Sequence, residues 1–178
     1  MKNNRTKMLV ICALFASLTA LCAWIALPIG PVPISLATLA VMLCGQVLGW
    51  KYGVLSQAVY ILLGLAGVPV FAGFRASSAL MGPTAGYILG YLPCALVGGL
   101  SLPRLQKALW GRCLLLALGT LACYALGTVW FMHLTGRGLA ESLSLCVLPF
   151  LPGDGAKIIV AALLSPRLRK ALSSLRLF

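Results

Sequence analysis

The sequence predicts an all-α membrane protein, a compact bundle of six transmembrane helices with both termini in the cytoplasm. Of its 178 residues, 61% are hydrophobic and only 9% are charged, whereas charged residues make up about a quarter of a soluble domain. About 20 apolar residues are needed to cross a bilayer, and six such segments fit along the chain with short connections. Residues 1–178 are therefore expected to form a single membrane-embedded domain.

Charged residues and Pro/Gly positions set the predicted spans, which lie near residues 8–27, 34–49, 53–72, 84–102, 113–134 and 147–165. The first follows basic residues, as the core of a signal peptide does. It is long enough to span, however, and no clear small-residue cleavage site closes it, so we expect an uncleaved helix. The second is short and contains glycine. Pro149 and Pro152 interrupt the sixth, where a break in the helix is expected.

The distribution of positive charge predicts the orientation, because Lys and Arg collect in cytoplasmic loops. When the loops are assigned alternately to two sides, one side receives only Arg75 and Arg137, and Lys157 lies within a span. The other side receives Lys2, Arg5, Lys7, Lys51, Arg104, Lys107, Arg112, Arg167, Arg169, Lys170 and Arg176. This asymmetry places both termini in the cytoplasm. The charges lie in short clusters between apolar stretches, so no nucleic-acid partner is expected despite a net charge of +12.

Asp154 is one of only two acidic residues, and it lies in the last apolar segment. An isolated Asp or Lys at mid-membrane costs about 2.5 to 3.5 kcal/mol, so such residues usually face the bundle interior and serve a function. Lys157 lies three residues on, on the same helix face. The nearby helix break is expected to expose amide N–H groups that can bind an acceptor. The two residues form either part of a ligand site or an ion pair that only neutralises itself.

The predicted outer connection between the third and fourth spans is a second candidate. It runs from Gly67 to Arg75 and continues through Gly82, Thr84 and Tyr87. Phe71, Phe74 and Tyr87 offer flat apolar surfaces, and Arg75 is a rare cation on this side. The segment is expected to fold either as a lid over a site or as an ordinary interfacial loop.

Motifs for catalysis are missing from the sequence. It contains no GxxxxGK[ST] phosphate loop, HExxH, GxSxG or Cys/His cluster. We therefore expect neither an enzyme nor a self-powered ATPase, and no cofactor or metal. Small residues four apart, such as Ala16 and Ala20, allow close helix approach within the bundle or against another protein.

Four stretches together resemble the BioY family, the biotin-binding substrate-specificity (S) components of energy-coupling factor (ECF) transporters. They are Gly30-Pro-Val-Pro-Ile-Ser-Leu-Ala-Thr38, Gly67-Val-Pro-Val-Phe-Ala-Gly73, Gly82-Pro-Thr-Ala-Gly-Tyr87 and Pro152-Gly-Asp-Gly-Ala-Lys157. The resemblance implies a six-helix protein of the prokaryotic cell membrane that binds biotin near its outer face. It also implies association with a transmembrane coupling protein and two cytoplasmic ATPases.

The resemblance assigns roles to individual residues. Ala16 and Ala20 would contact the coupling protein. The biotin site would contain Asp154, Lys157, Gly82, Thr84, Tyr87, Phe74 and Arg75. A more Gly-rich lid would be typical where this chain has Arg75-Ala-Ser-Ser.

Biotin fits the polar residues of the last span, since its ureido ring has two N–H donors and a carbonyl, and its tail ends in a carboxylate. Asp154 can accept from the ureido N–H groups, while Lys157 can donate to the ureido oxygen or pair with the carboxylate. The sequence leaves both orientations open. The alternatives to biotin uptake are an S component for another small vitamin and a membrane structural subunit without a ligand.

Overall fold

Helices dominate the computed structural model, which describes residues 2–28 and 31–174. A short antiparallel ribbon joins β1 (Ala26–Leu27) to β2 (Ile34–Ser35), and one 3-10 turn covers Ser77–Leu80. The helices are α1 (Lys2–Trp24), α2 (Ala37–Leu65), α3 (Ala85–Leu89), α4 (Tyr91–Gly98), α5 (Pro103–Lys107), α6 (Leu109–Thr135), α7 (Leu139–Cys146) and α8 (Leu151–Ser174). The predicted all-α class is confirmed, and Gly30 and Arg176 lie outside the described residues.

The long helix α2 is in fact a helical hairpin. Gly49 interrupts it with φ 77° and ψ 171°, a conformation that is readily available only to glycine. A Cβ on Gly53 would lie 3.0 Å from the Cα of Gly45, although positions eight apart on a straight helix are about 12 Å from each other. Residues 37–48 and 50–65 therefore run antiparallel, as the second and third predicted spans require.

The other predicted spans correspond to α1, to α3 and α4 together, to α6 and to α8, so the six-helix bundle is confirmed. In the described part of the chain, residues 5–24 of α1 and the whole of α6 have the length and apolarity to cross a membrane, and α2 qualifies by length only when its two antiparallel halves are counted together. Helices α7 and α8, bent by 56° at their junction, qualify together as a fourth, and Ala85–Gly98 is apolar but shorter. The β1–β2 ribbon and residues 66–84 continue the two halves of α2 at one end, which we call the ribbon end.

The structure corrects four boundaries. The first helix ends at Trp24 because the chain enters the ribbon there. The third span, predicted to reach residue 72, ends at Leu65. The fourth span ends at Gly98, since the Gly99 carbonyl accepts a hydrogen bond from the Trp50 amide at the turn of α2 (3.0 Å). The sixth helix does not stop at Pro166 but runs through it to Ser174. Helix α7, in a predicted loop, was not expected.

Helix α2 lies at the centre and packs against α1, α4 and α8, while α6 packs against α3, α4 and α8. Gly45 allows α2 and α4 to approach closely, because a Cβ there would lie 2.6 Å from the carbonyl oxygen of Ala95 on α4. This packing brings β2, the start of α2, the middle of α6 and the start of α8 together at the ribbon end.

Candidate ligand-binding site

Asp154 and Lys157 form a buried ion pair in the first two turns of α8. Asp154 is 3% exposed and Lys157 is 8% exposed, and the Lys157 ammonium donates to Asp154 Oδ1 at 2.7 Å. The same ammonium donates to the Ser35 carbonyl of β2 (2.8 Å) and to Thr38 Oγ1 of α2 (3.1 Å). All three ammonium protons therefore have acceptors, and the lysine holds the ribbon and α2 against α8.

The Asp154 carboxylate has two further partners within the bundle. Thr38 Oγ1 donates to Oδ1 at 3.1 Å, and the Tyr124 hydroxyl of α6 donates to Oδ2 at 2.5 Å. The pair is thus the centre of a network that joins β2, α2, α6 and α8. We call these five residues, Ser35, Thr38, Tyr124, Asp154 and Lys157, the polar cluster.

The sequence identified only the two charged members of the polar cluster. Ser35 and Thr38 lie inside the stretch that contributed to the family resemblance, but nothing in their spacing pointed to Asp154. Tyr124 lies among apolar residues in the middle of α6, with no neighbouring motif. Only the tertiary packing brings these hydroxyl and carbonyl groups to the ion pair.

The helix break before Asp154 is present, but it does not expose the expected amides. The amides of Phe150 and Leu151 both donate to the carbonyl of Val147, and the Asp154 amide donates to the carbonyl of Phe150. The expectation of free N–H groups is therefore wrong for these three residues.

The polar cluster lines a cavity, which we call the polar cavity. A neighbouring cavity, the aromatic cavity, shares Val32, Pro33, Ser35, Tyr87 and Tyr91 with it. The shared residues make the two cavities one cleft at the ribbon end. Its aromatic part is also lined by Tyr60, Phe71, Arg75 and Thr84.

Three residues predicted from the connecting segment lie at the cleft. Tyr87 lines both cavities, and its hydroxyl lies 3.4 Å from both Thr128 Oγ1 and the Cys146 carbonyl. Thr84 is buried and donates to the Ala79 carbonyl at 3.0 Å. Arg75 is exposed, and its side chain has no hydrogen bond or ion pair with any residue that the structure describes.

Phe74 and Gly82 take other positions. The Phe74 side chain is 63% exposed and stacks on Trp24, with ring centroids 5.0 Å apart. The carbonyl of Gly82 accepts from Trp130 Nε1 at 3.0 Å. Neither residue lines the cleft. Phe71, the other phenylalanine of the connecting segment, does line the cleft and is buried edge-on against Tyr60, with ring centroids 5.3 Å apart.

The segment around Arg75 covers the aromatic cavity and is held at several points. The Phe71 amide donates to the Arg75 carbonyl at 3.0 Å, which closes a short loop. Trp24 Nε1 donates to the Pro69 carbonyl at 2.9 Å, and Tyr60 donates to the Val70 carbonyl at 3.2 Å. These contacts hold the segment in place beside the aromatic cavity.

Ala16 and Ala20 do not lie on an outward-facing surface. They are 1% and 8% exposed and belong to the face of α1 that packs inside the bundle. The expected placement is therefore wrong, because side chains buried in the isolated chain cannot contact a second protein directly. The exposed face of α1 presents Ala13 and Ser17 between larger apolar side chains.

Comparison with known proteins gives a consistent result. Residues 1–174 match the BioY family. The biotin transporter BioY of Thermotoga maritima is 38% identical over 165 residues, which are 92% of this chain and 96% of the relative. The probable biotin transporter BioY of Pyrococcus horikoshii is 37% identical over 166 residues, covering 93% and 98% of the two chains. The crystal structure of an S-component for biotin from an ECF-type ABC transporter matches with a TM-score of 0.87 and 30% identity, covering 96% of this chain and 94% of that one.

Proposed function

The chain belongs to the BioY family, and we propose that it is the biotin-binding S component of an ECF-type ABC transporter. It is a multi-pass protein of the prokaryotic cell membrane and not an enzyme. The observation that carries the biotin assignment is the buried polar cluster at the bottom of an aromatic cleft. Such a cleft suits a ligand with a compact polar head and an apolar body.

The ureido ring of biotin fits the polar cavity. A carboxylate offers about four acceptor positions, and Lys157, Thr38 and Tyr124 take three of those on Asp154. One position on Oδ2 remains for a ureido N–H. The Ser35 hydroxyl accepts from the Ala37 amide and keeps its own proton to donate to the ureido oxygen.

Lys157 positions Asp154 and does not bind the ligand itself, because its three protons already have acceptors. The biotin carboxylate therefore needs another cation. Arg75 lines the aromatic cavity and is unpaired among the described residues, so the carboxylate end lies at Arg75 and the ureido end at Asp154. Tyr60, Phe71 and Tyr87 then surround the thiolane ring and tail.

Energy for concentrative uptake comes from other subunits. The chain has no phosphate-binding loop of its own, so it binds biotin alone and imports it with a transmembrane coupling protein and two cytoplasmic ATPases. The exposed face of α1, with Ala13 and Ser17, is the surface that we assign to the coupling protein. Small side chains let a partner helix approach closely.

Purification without added ligand tests the biotin assignment. Native mass spectrometry of the detergent-solubilised protein should show a biotin adduct, or the ligand-free protein should bind biotin in calorimetric titration. Binding of another vitamin but not biotin would mean a different S component. If no small molecule is retained and none binds on titration, the protein is a structural subunit and the proposal fails.

A further inference from the structure

A separate cavity lies far from the cleft, beside the turn of α2. It is lined by Gln46, Gln106, Arg112, Ser165, Pro166 and Arg169. Ser165 follows Asp154 by eleven residues on α8, about 16 Å along the helix axis. Gln46 lies one turn before Gly49. We call this the arginine cavity, and nothing in the proposed biotin site uses it.

Several polar atoms in the arginine cavity are buried without a partner. Gln46 is 2% exposed, and neither its Oε1 nor its Nε2 has a hydrogen-bond partner in the described part of the chain. The same holds for Ser165 Oγ, on a residue that is 3% exposed, and for Arg112 Nε. Buried polar groups in folded proteins nearly always have partners, so this concentration of unpaired groups indicates that a ligand completes the cavity.

Neighbouring contacts hold the rim of the cavity in place. Arg112 Nη1 donates to the Gln106 carbonyl at 3.0 Å, and Gln106 Nε2 donates to the Leu100 carbonyl at 3.0 Å. The guanidinium of Arg112 is therefore fixed while its Nε remains available. Arg169 adds a second guanidinium from α8.

No side-chain carboxylate is available to neutralise the two arginines. The sequence contains only two acidic residues. Glu141 pairs with Arg137, and Asp154 pairs with Lys157 in the polar cluster. Among the described residues, therefore, no side-chain carboxylate balances the charge of Arg112 or of the exposed Arg169.

We propose that the arginine cavity binds a phosphate group, supplied by the headgroup of an anionic lipid or by a free phosphate. Two guanidinium groups, the Gln46 amide and the Ser165 hydroxyl offer donors to several phosphate oxygens, and arginine matches phosphate geometry well. A water molecule would satisfy Gln46 and Ser165 but would leave the positive charge uncompensated. Trp110, at the start of α6, is 65% exposed, as expected of an indole ring at headgroup depth.

The test uses the purified full chain and two variants that each remove one positive charge. Arg169→Gln alters the cavity, and Lys170→Gln is the matched control at the adjacent exposed position. Native mass spectrometry measures binding of phosphatidylglycerol and of diacylglycerol, which has no phosphate. A second arm measures the thermal unfolding of each protein in inorganic phosphate and in chloride at equal ionic strength. Unchanged biotin binding shows that the variants are folded.

We expect the original chain to prefer phosphatidylglycerol over diacylglycerol, and Arg169→Gln to weaken phosphatidylglycerol binding about tenfold, as for loss of a charged hydrogen bond. Lys170→Gln should change it less than about twofold. If instead only inorganic phosphate stabilises the protein, and Arg169→Gln abolishes that effect, the site is confirmed with free phosphate as its source. Equal effects of the two variants would overturn the proposal, as would binding of neither phosphate probe. If neither phosphate probe binds and Arg169→Gln also impairs copurification with the coupling protein, the cavity receives a carboxylate of that protein. If neither probe binds and copurification is unchanged, the cavity holds water.

Discussion

Replacing Lys157 by Met should destabilise the protein strongly, because it removes the only cation of the polar cluster. The substitution deletes hydrogen bonds to Ser35, Thr38 and Asp154 and leaves a carboxylate that is 3% exposed without its counter-charge. Breaking a buried pair by removing one partner costs about 3 to 5 kcal/mol. The single variant should therefore unfold at a clearly lower temperature in detergent.

The double variant Asp154→Asn/Lys157→Met separates stability from binding. An asparagine at 154 carries no charge. Its Oδ1 can accept from one of the two hydroxyls of Thr38 and Tyr124, while its Nδ2 donates to the oxygen of the other, so most of the lost stability should return. Biotin binding should not return, since the ureido N–H then meets a neutral amide instead of a carboxylate. Loss of a charge-assisted hydrogen bond costs about 1.5 to 3 kcal/mol, or roughly 10-fold to 150-fold in Kd.

Thermal unfolding and calorimetric titration of the original, single and double variants measure both effects. Equal unfolding temperatures for the single and double variants would show that Lys157 does not compensate a buried charge. A double variant that binds biotin as tightly as the original chain would establish the other interpretation, in which the ion pair only neutralises itself. Either result would contradict one of the roles proposed for the pair: that Lys157 compensates the buried charge of Asp154, or that Asp154 binds biotin.

Four further predictions follow from the same structure. Arg75→Gln should weaken biotin about tenfold in titrations but leave binding of the uncharged biotin amide unchanged; equal losses for both ligands would remove Arg75 from the carboxylate site. Ser17→Leu should abolish copurification with the coupling protein without lowering thermal stability, whereas Ala16→Leu, on the buried face of α1, should lower stability; the reverse pattern would contradict the assigned surface. Gly49→Ala should cost about 1 to 3 kcal/mol of stability because φ is 77°, and an unchanged unfolding temperature would argue against the hairpin turn. Both termini should be cytoplasmic, so single-cysteine labels placed there should react only after the membrane is permeabilised.

The charged part of the site was predictable, and the uncharged part was not. A carboxylate and an ammonium in an apolar helix are costly enough to stand out in a sequence with two acidic residues. Tyr124 and Thr38 are ordinary in a membrane helix, and they lie 30 and 116 positions from Asp154 along the chain. Their role depends on how α2, α6 and α8 pack, which no local pattern encodes.

Some features of the fold could likewise be predicted from the sequence, and others could not. The break between the second and third spans was visible because Trp50 and Lys51 interrupt two apolar runs, and Gly49 makes the turn there. The ribbon has only two residues in each strand, too few to show alternation. Pro166 suggested a helix end, yet a proline removes only one backbone hydrogen bond, and α8 continues through it. Helix ends near the headgroups can have such groups satisfied by water.

The charges of the polar cluster are paired within the chain, whereas those of the arginine cavity are not paired among the described residues, and this difference bears on which ligand each site selects. In the cleft, Asp154 and Lys157 neutralise each other, so a ligand head gains hydrogen bonds there but little from its own net charge. Among the described residues that line the cleft, Arg75 at its aromatic part is the one that offers unpaired charge. A ligand that is neutral and polar at one end and anionic at the other satisfies both regions, whereas a ligand charged at its head would have to compete with the existing pair. The residues that line the arginine cavity include no Asp or Glu. The proposed ligand there is therefore selected mainly by its negative charge and less by its shape.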